Sequence, residues 1–513
     1  MPKSQLVQAP PNRPGRPPFR WPLICAASAL AVFLLLLSSG AADVRRILRL
    51  PPLPPHTNNH VAPAPAAAAA LEACAWPALE PHVPLLDVPP ISRSDFLTRQ
   101  RVLARALRAA GVDAFVAEPS ASTTYYANIS ARFGLSERPY LMVFSSQEDD
   151  DDGDNDGGRF SYLVPQFETG RLNAASQHMV FEGNADADAA IPWREEQDPY
   201  AVLLESGRLG GGGGGGVGGD GGGRTKRKRK VMIDEHARHM VAAGLQAVGV
   251  DVVPMSADVR RLRAVKTDAE VAIMRGINAF TRHLVRALQG CLRAGLRQAD
   301  VVDAGRALFA RAGVAGEGYW AIALFGSRAA YPHGGEGGDA AVLRDGEFVL
   351  LDIGSSLHGY GSDVTRTMLP PAGNGGAATA AVREELMDVW RVVRRAQSAG
   401  LAGTRPGAAC RDADAASRAP VEAAGYGPYY THRLGHGLGL ETHEHPYLNG
   451  ANYEKLRPGM VVTNEPGIYV TDEQATKLGM SAGFGVRLED PILVTEDGGV
   501  PLTGRRAESP WDL

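Results

Sequence analysis

Five residues in the C-terminal half of the chain are of the type that binds hard metal ions, and each sits in a sharply defined local context. Leu350-Leu351-Asp352-Ile353-Gly354 is an apolar run that ends in a carboxylate and a glycine. Asp363 follows 11 residues later, in Gly361-Ser362-Asp363-Val364-Thr365-Arg366-Thr367. Two strands joined by a short loop would place these two aspartates side by side. His436 lies in His432-Arg433-Leu434-Gly435-His436-Gly437-Leu438-Gly439-Leu440, Glu465 in Asn464-Glu465-Pro466-Gly467, and Glu489 in Val486-Arg487-Leu488-Glu489-Asp490. Taken singly, Asp-x-Gly and Glu-Pro-Gly read as turns; all five in this order do not. Four carboxylates and one imidazole are a hard donor set, suited to Mn²⁺, Co²⁺, Fe²⁺ or Zn²⁺. The chain has only four cysteines, no Cys-x-x-Cys and no disulfide framework, since Cys74, Cys291 and Cys410 lie far apart in sequence. Sulfur therefore plays no part in the expected site.

The elements that must carry these residues are legible in outline. At 513 residues, two folded domains with extensions are expected. The net charge of −4 and the 44% hydrophobic content describe an ordinary globular chain with no nucleic-acid signature. From Ser256 the pattern turns helical, with a capping box at Thr267 and Glu270 ahead of Val271, Ile273, Met274 and Ile277. This places a domain boundary near residue 255, with the donor-bearing domain over 256–513. Over 91–255, a helical stretch from Asp95 to Ala110 precedes strand-like Val112–Val116 and Tyr140–Ser145, the alternation of an α/β domain. Two insertions, about 146–158 and about 206–230, are acidic or nearly all glycine and are expected to stay disordered. The basic run Arg224–Lys230 reads as a solvated loop end, with a nuclear or processing signal as the alternative.

The N-terminal 90 residues differ from the rest. Leu23–Ala42 carries no charge and follows Lys3, Arg13, Arg16 and Arg20, which is the pattern of a signal-anchor. Residues 1–50 then form a cytoplasmic tail plus span, 51–90 a Pro/Ala-rich stalk, and the protein a single-pass type II membrane protein with its catalytic domain lumenal or extracellular. A cleaved signal peptide and a secreted product is the alternative, because Ser38–Ala42 offers small residues to a peptidase. Asn128-Ile129-Ser130 would be a glycosylation sequon in such a compartment.

Asp352, Asp363, His436, Glu465 and Glu489 resemble, in order, the five metal ligands of the pita-bread metallopeptidases, the group of aminopeptidase P, prolidase and methionine aminopeptidase. The resemblance is strong over about 255–505 and extends to 91–250, which is similar to the creatinase/prolidase N-terminal domain and favours the proline-directed branch. It implies an α/β (α+β) architecture with a pita-bread catalytic domain, and a dinuclear site with Mn²⁺ foremost. Asp352 would bind one ion, His436 and Glu465 the other, and Asp363 and Glu489 would bridge. It further implies that His333, His432 and His443 assist catalysis, that Glu465 also shuttles a proton, and that Arg487 orients a glutamate or binds substrate. The implied substrate is a peptide with proline at its second position, the implied activity Xaa-Pro aminopeptidase or Xaa-Pro dipeptidase, and a homodimer is the assembly it suggests. Arg366 reads instead as a salt-bridge partner of a ligand carboxylate, and His358 and His445 as loop residues. A metal-free creatinase-like hydrolase and a non-enzymatic peptide-binding module on the same scaffold are the competing readings. Four carboxylates held together without a cation would repel one another, which disfavours both.

Overall fold

The computed structural model describes residues 66–512, apart from 131–132, 134–135, 147–157, 177–178, 180–188, 211–226, 315–317, 336–339, 372–383 and 481. The chain from Ala64 on forms one compact unit. Its first layer is a six-stranded sheet of β1 (Ala114–Ala117), β2 (Leu141–Ser145), β3 (Arg159–Pro165), β4 (Ala190–Trp193), β5 (Lys230–Ile233) and β6 (Asp251–Pro254), in the order β4-β3-β2-β1-β5-β6. Strands β1, β5 and β6 run parallel, while β2 runs antiparallel to β1. Both faces are covered, as the alternation along the strands requires. Phe115, Met142 and Phe144 enter one apolar cluster, and Val116, Leu141 and Val143 the other. The helix Arg93–Ala109 lies on the first face and starts from a capping box of Ser92 and Asp95.

The second part begins beyond β6. The short helix Ala257–Ala264 leads to the 24-residue helix Asp268–Cys291, whose N-terminus is the expected Thr267–Glu270 capping box. A three-stranded antiparallel sheet follows, made of β7 (Trp320–Phe325), β8 (Val349–Gly354) and β11 (Val364–Met368) with β8 in the middle. The two-residue strands β9 (Ser356–Leu357) and β10 (Tyr360–Gly361) form a small hairpin between β8 and β11. A five-stranded antiparallel sheet has the order β13-β12-β14-β17-β18, from β12 (Gly435–Gly437), β13 (Glu444–Leu448), β14 (Val461–Asn464), β17 (Asp490–Thr495) and β18 (Gly498–Pro501). Strands β15 (Gly467–Val470) and β16 (Phe484–Arg487) pair separately. Val349, Leu351 and Ile353 of β8 face the main core with Ile277, Phe280, Leu284 and Leu308 of the helices behind. Side chains alternate along a strand, so Asp352 must point to the other face.

Three expectations for the N-terminal region are corrected. The stalk over 51–90 is not a stalk where it is described. Ala66–Leu79 is a helix that buries Leu71, Ala75 and Leu79 in the main core, and Glu80–Leu86 continues it as a 3-10 helix. Alanine is the best helix former, and residues at i, i+4 and i+8 share one face; composition alone hid that stripe. Cys74 of this helix forms a disulfide with Cys291, 217 residues away, so sequence distance was a poor guide to pairing. The membrane anchor and the type II topology are withdrawn. Among the described residues no helix is long and apolar enough to cross a membrane, and the segment 23–42 lies outside the described residues. Most of the two insertions also lies outside them. The basic end of the second is held: Arg227 pairs with Asp113, and Lys230 opens β5. Asn128 is exposed in the left-handed region at the end of the helix Ala121–Ala127.

Candidate metal centre

Strand pairing brings the first two donors together. In the β8–β11 register Asp352 lies opposite Thr365, and Asp363 sits one residue before β11. The turn between is tied by Ser362 N donating to Ser355 O at 2.8 Å, and Asp363 N donates to Asn278 Oδ1 of the long helix at 3.1 Å. His436 comes from the middle of β12, flanked by glycines for a steric reason. A Cβ at Gly435 would lie 2.0 Å from Thr463 O, and one at Gly437 2.4 Å from His445 O. The strand is thus clamped between its neighbours with the imidazole projecting from it. Glu465 follows the last residue of β14, and Glu489 lies in the step between β16 and β17.

The donor atoms converge. One ligand atom from each of Asp363, His436 and Glu489 lies within 4.8 Å of the other two. His436 Nε2 is 3.2 Å from Glu465 Oε1 and 3.7 Å from Asp363 Oδ2, while Nδ1 faces Gly437 O at 3.1 Å. Asp352 Oδ2 accepts from Arg487 Nη2 at 2.6 Å, yet its Oδ1 is buried with no hydrogen-bond partner. Such an orphaned acceptor is costly, and a cation is the natural partner for one in an all-oxygen-and-nitrogen donor set. The charges agree. Burial, and then the charges of Asp352 and Glu465, push the Asp363 carboxyl well above its usual range. Burial, followed by Asp363, Glu465 and Asp352, does the same to Glu489. Burial would raise Glu465 too, but its hydrogen bond from His436 and the nearby positive groups bring it down to about 2. This cluster must hold either protons or divalent cations, and the donors fit divalent cations.

All nine residues singled out in the sequence line one open cavity of about 890 Å³. His333, His432, His443 and Arg487 border it together with the five donors, and Trp320, Ile322, Tyr331 and Pro332 add an apolar wall. The His443 ring meets the His436 ring at 4.1 Å between centroids. Burial, then the charge of His436 and Arg433, takes His443 down to about 4. His432 is anchored at both nitrogens, Nδ1 to Arg433 O at 2.7 Å and Nε2 to Tyr469 OH at 2.9 Å; burial foremost lowers its pKa.

Several supporting residues carried no signal of their own. Thr365 Oγ1 donates to Glu489 Oε2 at 2.6 Å and accepts from Arg487 Nε at 3.1 Å. Tyr469 OH accepts from Arg487 Nη1 at 2.9 Å, linking that arginine to His432. Thr463 Oγ1 holds His436 N at 3.0 Å and reaches Glu465 Oε1 at 3.2 Å. Thr365 and Thr463 each lie two residues from a donor on the same strand edge, the one pattern that could have marked them. Arg487 is thus engaged by Asp352 and its support rather than by Glu489 directly. Buried Arg366 pairs with Asp490 at 2.6 Å, next to a donor rather than with one. His358 and His445 are not among the cavity's lining residues.

Residues 272–496 match metallopeptidase family M24. An uncharacterized peptidase of Schizosaccharomyces pombe is 37% identical over 444 residues, which is 86% of this chain and 88% of that protein. The chain belongs to metallopeptidase family M24. A putative dipeptidase of Bacillus subtilis is 34% identical over 255 residues, covering 50% of this chain and 64% of that protein. Among solved structures, a dipeptidase PepE from Mycobacterium ulcerans superposes with a TM-score of 0.64 at 25% identity, over 81% of this chain and 98% of that one. A prolidase from Thermococcus sibiricus, at 23% identity, shares the fold with a TM-score of 0.62 over 80% of this chain and 98% of that one. The architecture of this M24 chain is therefore the mixed α/β, creatinase-like pita-bread fold with its N-terminal domain.

Proposed function

We propose that this M24 peptidase is a metal-dependent exopeptidase that hydrolyses the Xaa-Pro bond at peptide N-termini, with two divalent ions, Mn²⁺ foremost, held by Asp352, Asp363, His436, Glu465 and Glu489. The observation that carries the reading is the convergence of these donors, including the orphaned Asp352 Oδ1, on one cavity with three further histidines. In this reading Asp352 would hold one ion and His436 with Glu465 the other, while Asp363 and Glu489 would be shared between them. Bound divalent ions would lower the pKa of a water and polarise the scissile carbonyl.

The rest falls to the chain's own side chains. Glu465, ionised at neutral pH, accepts a proton from the attacking water and passes it to the leaving nitrogen. That transfer matters before proline, whose tertiary amide has no N–H and must leave as a secondary amine. His443 and His333 border the same space and would donate to the carbonyl oxygen as it becomes an oxyanion, while His432, engaged at both nitrogens, would assist by holding the Tyr469 hydroxyl beside the cavity. Arg487 keeps Asp352 in place, and Thr365 keeps Glu489 in place. Trp320, Ile322 and Tyr331 supply an apolar surface that suits a pyrrolidine ring.

One observation favours the dipeptidase variant of this activity. Arg433 borders the cavity with its guanidinium over the Tyr447 ring at 4.5 Å, and no described carboxylate pairs with it. A cation so placed would suit the free carboxylate of a dipeptide. The test is hydrolysis by Mn²⁺-loaded protein of Xaa-Pro dipeptides, Xaa-Pro-Yaa tripeptides and proline-free controls. Preference for the tripeptides supports the aminopeptidase, and preference for the dipeptides the dipeptidase. Equal kcat/KM on proline-free peptides would overturn the proline preference, and full activity after metal removal would overturn the metal reading.

A further inference from the structure

His443 is exposed at the cavity, as His333 is, and no hydrogen bond among the described residues orients its ring. Its place beside His436 depends on the backbone that carries it. That backbone is the loop Leu438–His443, which joins β12 to β13. The loop closes around a side chain that belongs to its far end. Glu444 is buried, and its carboxylate lies so close under the loop that a Cβ on Gly439 would sit 2.6 Å from Glu444 Oε1. The partner of that carboxylate comes from elsewhere in the sequence. Lys266 Nζ pairs with Glu444 Oε1, with the lysine side chain 1% exposed and the glutamate 4%. Lys266 is itself fixed, because its N–H donates to Gly459 O at 2.8 Å. Arg263 makes a second tie, pairing with Glu441 in the same loop and lying 3.7 Å from Glu444 Oε2.

Stability alone does not account for a buried Lys–Glu pair. Desolvating both charges offsets most of their attraction, and uncharged side chains of similar volume often serve as well. What such a pair supplies is direction: two charges that must meet leave the loop one arrangement. We propose that Lys266 and Glu444 are a positioning pair for His443, holding the residue next to Glu444 at the distance from His436 that the reaction needs. The inference rests on the reading of His443 as a group that faces the reacting atoms. A displacement of about 1 Å in such a group costs on the order of 100-fold in rate.

The test uses the Mn²⁺-loaded full chain and a cycle of three variants: Lys266→Met/Glu444→Gln, which removes both charges at similar volume, His443→Ala, and their combination. The pair variant is expected to fold, to keep its metal and to keep KM within about 3-fold, while kcat falls about 10- to 100-fold. In the His443→Ala background the same pair change should cost less than about 3-fold, because a residue that acts only through His443 has nothing left to position. Unchanged kcat in the folded pair variant overturns the proposal, and so does an equal kcat loss with and without His443. Wild-type kcat in His443→Ala alone removes the catalytic reading of His443 and the positioning role with it, an outcome distinct from the other two. Should the uncharged pair not fold, Lys266→Arg keeps the charge and moves its head group. Lowered kcat at constant KM then supports the pair, and unchanged kcat overturns it.

Discussion

Reducing the Cys74–Cys291 disulfide, or replacing either cysteine by serine, should lower stability without lowering activity per folded molecule at 25 °C. The bond ties the helix Ala66–Leu79 to the end of the helix Asp268–Cys291 across 217 residues. Loop-closure entropy for a ring of that size amounts to about 5 kcal/mol, the upper end of what disulfides contribute. The helix is also held by Leu71, Ala75 and Leu79, all fully buried. Each buried leucine is worth about 1.5–3 kcal/mol, so the helix stays docked in the reduced native state and the loss falls on the unfolded chain. A unit of this size unfolds with an entropy of roughly 0.9 kcal/mol per degree, so about 5 kcal/mol becomes a Tm decrease of about 5 °C. Differential scanning calorimetry with and without reductant measures it, with Cys74→Ser as the control that reductant should no longer affect. A Tm within about 1 °C of the oxidised protein would refute the entropy argument. Loss of peptidase activity at 25 °C in the folded, reduced protein would show that the staple supports the cavity, which neither cysteine lines.

Three further outcomes are expected. His436→Ala should lose metal and activity together, whereas His443→Ala should keep its metal and lose about 10²–10⁴-fold in kcat; metal analysis beside steady-state kinetics separates them, and intact turnover in His443→Ala would remove that residue from the mechanism. Thr365→Val takes the 2.6 Å hydrogen bond from Glu489 and should weaken metal binding by about 10- to 100-fold at unchanged secondary structure, read by competition with a chelator. The third outcome concerns pH: Asp363 and Glu489 have raised pKa values in the metal-free fold, while unfolded carboxyls titrate near about 4. The native apo-protein therefore binds more protons than the unfolded chain above that pH, and its stability must fall as pH rises through the folded pKa values. Metal replaces those protons, so the Tm gap between loaded and chelated protein should widen from pH 5 to pH 8, and a constant gap would contradict the assigned charges.

What the sequence determined by itself was chemical identity and local form. Oxygen and nitrogen donors without sulfur partners specify a hard metal, and the Thr267–Glu270 box specifies a helix start, because both depend on residues close in the chain. The apolar run around Asp352 specified a strand, and period-two alternation then required the carboxylate to leave the core face. What only the tertiary structure decided was everything set by distant neighbours. The alanines of 66–79 read as a stalk by composition, but Leu71 and Leu79 have a core to enter once the helices Asp268–Cys291 and Gln298–Arg311 are in place. Cys74 and Cys291 are unrelated along the chain and adjacent across that packing. Thr365 matters because antiparallel register sets it opposite Asp352, and Arg487 takes Asp352 rather than the nearby Glu489 because strand β16 delivers its guanidinium there. Lys266 is an ordinary lysine in sequence, and a buried one in the fold because the loop bearing His443 closes over its partner. Donor types are a property of residues; their convergence is a property of register and of packing between segments up to 137 residues apart, Asp352 to Glu489, and no local pattern encodes that distance.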